Sequence, residues 1–108
     1  MGASDPTDLF VQQWTDTGFA GSDLVREYVL GDSPWRFDLA FPSQKLVIEI
    51  HGFGFGHQRQ AGLIRDCDKI NWVAANGWRI MVFTTAHLSS QEKRERVVHD
   101  VCEILSTI

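Results

Sequence analysis

Two stretches decide the fold: Trp35-Arg36-Phe37-Asp38-Leu39-Ala40-Phe41 and Lys45-Leu46-Val47-Ile48-Glu49-Ile50-His51. Both alternate with the two-residue period of a β-strand. In the first, Phe37, Leu39 and Phe41 fall on one face and Arg36, Asp38 and Ala40 on the other. In the second, Leu46, Ile48 and Ile50 share one face, and Val47, Glu49 and His51 share the opposite one. Pro42-Ser43-Gln44 reads as the turn between them, so the pair forms a hairpin. A two-residue Ser43-Gln44 loop puts Asp38 opposite Glu49 and Arg36 opposite His51. Directly opposed residues project from the same side of a sheet with Cβ atoms about 4.5–5.5 Å apart. Two carboxylates are therefore expected side by side on one sheet face.

Like charges placed so closely repel, and the arrangement costs stability unless a cation lies between them. Mg²⁺ suits such a place, because it is held by one or two carboxylates together with water and substrate phosphates. The plainer alternative is a solvated face on which Asp38 and Glu49 pair with Arg36 and Lys45. Both carboxylates interrupt strongly apolar strands, RFDLAF and LVIEI, and that favours a site.

Working outward, Asp5-Pro6 suits a helix start, with a carboxylate for the first-turn N–H groups and a proline where no bond is lost. Leu9, Phe10 and Gln13-Trp14 continue at helical spacing to about residue 17, and Gly18 terminates. Leu24 to Leu30 reads as a strand closed by Gly31-Asp32-Ser33-Pro34. Gly52 to Gly56 (GFGFG) is too glycine-rich for regular structure. A helix is expected from about Gln60 to Asn76, with Leu63, Cys67, Ile70 and Ala74 as its apolar stripe and Gly77 closing it. Trp78 to Thr84 is a buried strand. Ser89 and Glu92 form a capping box for a last helix carrying Val97, Val98, Val101, Ile104 and Leu105. The order is α-β-β-β-α-β-α, without an internal repeat or linker.

With 108 residues, 44% of them hydrophobic, the chain fits one domain spanning 1–108 with a core of its own. The 22% charged and 11% aromatic fractions exclude disordered and low-complexity classes. No apolar run approaches the ~20 residues of a membrane helix, and MGASDPTDLF lacks the basic and apolar regions of a signal peptide. No membrane partner is expected. Cys67 and Cys102 are expected as reduced core thiols. Ten Lys and Arg against 14 Asp and Glu leave a net charge of −4, which is not the basic footprint of nucleic-acid binding. Carboxylates grouped around metal ions are neutralised by those ions, so an acidic balance does not by itself exclude that class.

Trp35-Arg36-Phe37-Asp38, then Glu49-x-His51-Gly52, then Asp66-x-x-Lys69-x-Asn71, then Gly77-Trp78-Arg79 together resemble the PD-(D/E)XK nuclease superfamily, in particular small phage-type and very-short-patch-repair-like endonucleases. The resemblance spans roughly residues 24–85. It implies an α/β, restriction-endonuclease-like core with a mixed central sheet flanked by helices. It implies Asp38 and Glu49 as ligands of Mg²⁺ or Mn²⁺. The family's lysine normally follows that acid by two residues, where this chain has His51. Relatives move the lysine to the next helix, and Lys69 is then the candidate.

Other residues carry two readings each. Glu27, on the strand before Asp38, is a third metal carboxylate or a surface salt-bridge partner. His57 matches a histidine of similar phage proteins and is a phosphate contact or a solvated loop residue. Arg36 and Arg65 are candidate DNA contacts, Arg65 sharing a helix face with Lys69; a solvated face is the alternative. Asn71 contacts the site or caps local backbone. Phe53 or Phe55 could wedge against bases or form a hydrophobic lid. Zinc, phosphate-loop and nucleophile-elbow motifs are absent.

The resulting expectation is a Mg²⁺-dependent DNA endonuclease, active in the cytoplasm of a bacterial or phage-infected cell. A domain this small favours recognition of DNA shape, such as a four-way junction or other branch. Symmetric cutting calls for a homodimer, with Trp14, Trp72 and the C-terminal helix as interface candidates. The rivals are a mismatch- or site-directed nicking enzyme, a non-catalytic DNA-binding module on a decayed nuclease fold, and an RNA-directed nuclease.

Overall fold

The computed structural model describes residues 5–17, 23–52 and 60–107. Helix α1 (Pro6–Asp16) begins where the Asp5 carboxylate accepts a hydrogen bond from the Thr7 N–H at 2.7 Å, satisfying a donor the helix itself leaves open. Strands β1 (Val25–Val29), β2 (Arg36–Phe41) and β3 (Leu46–His51), helix α2 (Gln60–Ala75), strand β4 (Arg79–Thr84) and helix α3 (Gln91–Leu105) follow in the expected order. The strands form one mixed sheet, β1-β2-β3-β4, antiparallel in the first two pairings and parallel in the last. Parallel neighbours need a crossover, and α2 supplies it. Gly18, Phe53, Phe55 and His57 lie outside the described residues.

Helices α1 and α3 cover one face of the sheet. Phe10, Trp14, Val97, Val98 and Val101 pack there against Leu39, Phe41, Leu46 and Ile48. Helix α2 covers the other face, where Val73 meets Phe37, Ala40 and Val47, flanked by Tyr28, Trp35, Trp72 and Trp78. Burying these side chains follows from the hydrophobic effect, and it also corrects the interface expectation. Trp14 is 3% exposed, and the valines of α3 are buried beside it. Their apolar faces are used inside the chain and are not free for a second copy. Trp72 likewise packs onto the core beneath α2.

The hairpin register is the expected one, with Leu39 opposite Ile48, Ala40 opposite Val47 and Phe41 opposite Leu46. The loop is longer than two residues. Pro42–Gln44 form a 3-10 turn, and Lys45 closes it in the left-handed region at φ 52°. Both loops are centred on Ser43 and Gln44, so lengthening it leaves the register unchanged. The Asp23 carboxylate holds the turn, accepting from the Ser43 N–H at 2.8 Å and its hydroxyl at 2.9 Å.

Strand alternation fails at one place. Phe37 packs with Ala40 on the α2 side, not with Leu39 and Phe41. In the β1–β2 ladder Arg26 faces Leu39 and Tyr28 faces Phe37, while Glu27 and Asp38 between them are unpaired. Glu27 adopts φ 54°. A left-handed residue rotates the strand about its axis, so both chains change face at this point and Tyr28 and Phe37 turn toward α2.

Helix α2 ends in a Schellman motif. Gly77 takes φ 78°, its N–H donates to the Ala74 carbonyl at 3.1 Å, and the Trp78 N–H reaches back to Val73 at 3.1 Å. Helix α3 starts one residue later than expected. Ser90 is the cap, its Oγ accepting from the Lys93 N–H at 3.1 Å. Ser89 is engaged at the end of the 3-10 turn Thr85–Leu88, where its hydroxyl donates to the Ala86 carbonyl at 2.8 Å. Both cysteines are free, as expected, but Cys67 is exposed and only Cys102 packs against the core, where burial pushes its thiol pKa up. No helix among the described residues is long and apolar enough to cross a membrane.

Glu27→Gly removes the penalty of a side chain in the left-handed region and adds backbone entropy to the unfolded chain. The net expectation is a gain of up to about 1 kcal/mol in stability. Glu27→Val, β-branched at the same φ, should lower it. Urea midpoints of the two variants against the parent check both signs.

Candidate functional site

Helix α2 turns Asp66, Lys69, Ile70 and Val73 toward the sheet, at the i, i+3, i+4, i+7 spacing of one helix face. The stripe expected from composition is displaced: Leu63 is 53% exposed, and Cys67 and Ala74 are exposed as well. Val73 anchors the helix in the core, and the polar residues one and two turns earlier are thereby carried over the sheet. They form a cleft with Glu49 and His51 of β3 and Ile80 and Val82 of β4.

Within it, the Lys69 ammonium donates to Glu49 Oε2 and, at 2.7 Å, to the Arg36 carbonyl on β2. It also lies 4.6 Å from the centroid of the Phe37 ring, a cation–π contact made possible by the change of face at Asp38. The two charged side chains are only 14% and 15% exposed. Asp38 does not stand upright on the sheet as simple alternation predicts. Its Oδ2 accepts the Ile50 N–H at 2.7 Å, so a side chain takes the place of a ladder carbonyl and draws the carboxylate toward β3. The two acids still meet electrostatically. Burial pushes the Glu49 carboxyl above its ordinary value of 4.5 and the Asp38 charge adds to this, while Lys69 pulls the other way without cancelling it.

A hard divalent cation suits this donor set. Two carboxylates approach each other, an ammonium already lies against one of them, and the remaining positions of such an ion are ordinarily water and phosphate oxygens. Among the described residues no three Asp, Glu, His or Cys groups assemble into a metal-holding set. Glu27, exposed on β1, thus does not complete a three-carboxylate centre with Asp38 and Glu49. Among the other candidates, His51 lines the cleft. Arg36 contributes its carbonyl, and its side chain is exposed. Arg65 and Asn71 are exposed on α2, so Arg65 is not turned inward with Lys69.

Asp66 is the residue that site selection from sequence missed. Its Oδ2 is buried and has no hydrogen-bond partner among the described residues. The signal was present in the i, i+3, i+4, i+7 series from Asp66 to Val73, which reads as a buried face once charged residues are allowed on it.

No protein-family model matches the chain, and no curated protein matches it. A solved structure described as the homing endonuclease I-Bth0305I catalytic domain superposes with a TM-score of 0.73 at 15% identity, covering 97% of each chain. The fold is shared with a nuclease catalytic domain.

The raised Glu49 pKa has a defined sign. The folded chain holds a proton that the unfolded chain releases near pH 4.5, so the associated stability is present below 4.5 and lost as pH rises through the raised value. Carboxyl ¹³C NMR of the metal-free protein should place the Glu49 midpoint above 4.5. Lys69→Met, which removes the lowering interaction, should move it higher still. A midpoint at or below the ordinary value would contradict the assigned burial.

Proposed function

We propose that the chain is a divalent-metal-dependent endonuclease that hydrolyses phosphodiester bonds of DNA, with branched DNA as its preferred substrate. The observation that carries this is the meeting of Glu49 with both Asp38 and Lys69 in a fold shared with a nuclease catalytic domain. The resemblance of the same residues to the PD-(D/E)XK pattern supports it independently of the fold.

Asp38 and Glu49 hold the cation. The ion, when bound, neutralises phosphate charge and acidifies a water. The chain's own groups do the rest. The unpaired Asp66 oxygen accepts a hydrogen bond from water entering the cleft and so orients it toward phosphorus. The Lys69 ammonium stabilises the charge that develops on the phosphate oxygens. His51, which lines the same cleft, moves the proton. The bond formed is from water oxygen to phosphorus, the bond broken is from phosphorus to the departing ester oxygen, and the water's proton ends on that oxygen.

Labelled four-way junction, mismatched duplex, linear duplex and single-stranded RNA, each with Mg²⁺ or Mn²⁺, test the proposal. Cleavage should be lost on adding EDTA and restored by excess Mg²⁺. Asp38→Asn should lower it by at least about a hundredfold, and Asp66→Asn by about tenfold or more. Paired symmetric cuts in the junction support branch selectivity. Equal cutting of every DNA retains the nuclease and removes that selectivity. No cleavage, with no metal bound, leaves a DNA-binding module.

A further inference from the structure

The Lys69 ammonium occupies the place where a cation would neutralise Glu49. It has three protons to place. One goes to Glu49 Oε2 and one to the Arg36 carbonyl at 2.7 Å, and the ammonium sits 4.6 Å from the Phe37 ring centroid. Only 14% of its side chain is exposed, so the ammonium depends on these partners in place of water. Two positive ions held by one carboxylate in a cleft with so little solvent repel each other strongly, because their charges are weakly screened there. The Arg36 carbonyl and the Phe37 ring do not belong to the carboxylate pair, and they remain available to an ammonium that has let go of Glu49.

We propose that Lys69 is the resident counter-ion of Glu49, and that a divalent cation binds by displacing its ammonium from that carboxylate. The Arg36 carbonyl and Phe37 ring then retain the ammonium at the cleft rim, where a phosphate would meet it. Metal affinity is thus held down by Lys69, and loading the site arms the lysine. The inference rests on the metal reading of the same cleft.

Calorimetric titration of Mn²⁺ into the full chain without DNA tests it on binding alone. Lys69→Met should bind Mn²⁺ at least about tenfold more tightly than the parent, a difference of about 1.4 kcal/mol. Lys69→Arg, which keeps the charge, should bind like the parent. Lys69→Gln, which can still donate to the Arg36 carbonyl, carries the test should the methionine variant fail to fold. In the unaltered protein, the Lys69 Cε–H NMR signal should move on Mg²⁺ addition with the calorimetric midpoint. Equal or weaker binding by the neutral variants, or an unmoved Lys69 signal while metal binds, overturns the displacement and leaves the metal reading intact. Absence of binding to every form overturns both.

Discussion

The contact between Lys69 and Glu49 is the one on which the candidate site depends. It joins α2 to β3, and through the Arg36 carbonyl it joins both to β2. Ion pairs removed from water seldom add net stability, because desolvation of two charges offsets their attraction. The raised Glu49 pKa is the same fact seen from one partner, with burial outweighing the lysine. The stability of the fold is carried instead by the two apolar layers, from Phe10 to Val101 on one face and around Val73 on the other. The pair is kept at such a cost beside a second carboxylate and an unsatisfied Asp66 oxygen, the combination on which the proposed function rests.

A second constraint makes that contact possible. Had β2 kept strict alternation, Phe37 would lie with Leu39 beneath α1 and α3, and no ring would face the Lys69 ammonium. The left-handed Glu27 and the unpaired Asp38 opposite it change the face of both strands at once. Asp38 is then free to bond the Ile50 N–H and lean toward β3. Strain of this kind costs about 1–3 kcal/mol and persists where surrounding structure enforces it. Its position opposite Asp38, and not at a loop tip, links the irregular sheet to the site.

Much of this was legible beforehand, and the failures have physical causes. Element order and hairpin register followed from alternation and from a turn centred on Ser43-Gln44, and both held although the turn was longer. The ladder ends at Leu39 and Ile48, so Asp38 meets Glu49 through a carboxylate turned to the Ile50 N–H and not as a register pair. The face of Phe37 did not follow from alternation, because only the backbone angle of Glu27 reveals the break. The α2 stripe was misplaced because apolar residues alone define two competing faces, and the inward one here carries Asp66 and Lys69. Trp14 and the valines of α3 were recognisable as an apolar surface. Periodicity marks a face to be buried without naming what buries it, and here it is the chain's own sheet. Ser89 and Ser90 are chemically equivalent caps, and the 3-10 turn before them decided which was used.

Local chemistry, written in the order of residues, determined the strands, the helices, the hairpin register and the placing of two carboxylates in apolar surroundings. Those features depend on contacts between near neighbours, whose spacing the chain itself sets. The parallel docking of β4 beside β3, the placing of α2 over both, and the meeting of Lys69 with Glu49 and the Arg36 carbonyl were decided only in three dimensions. They join residues 20 and 33 positions apart, and no periodicity reaches that far. The burial of Val73 against the sheet is what sets Lys69, one turn earlier, over its carboxylate.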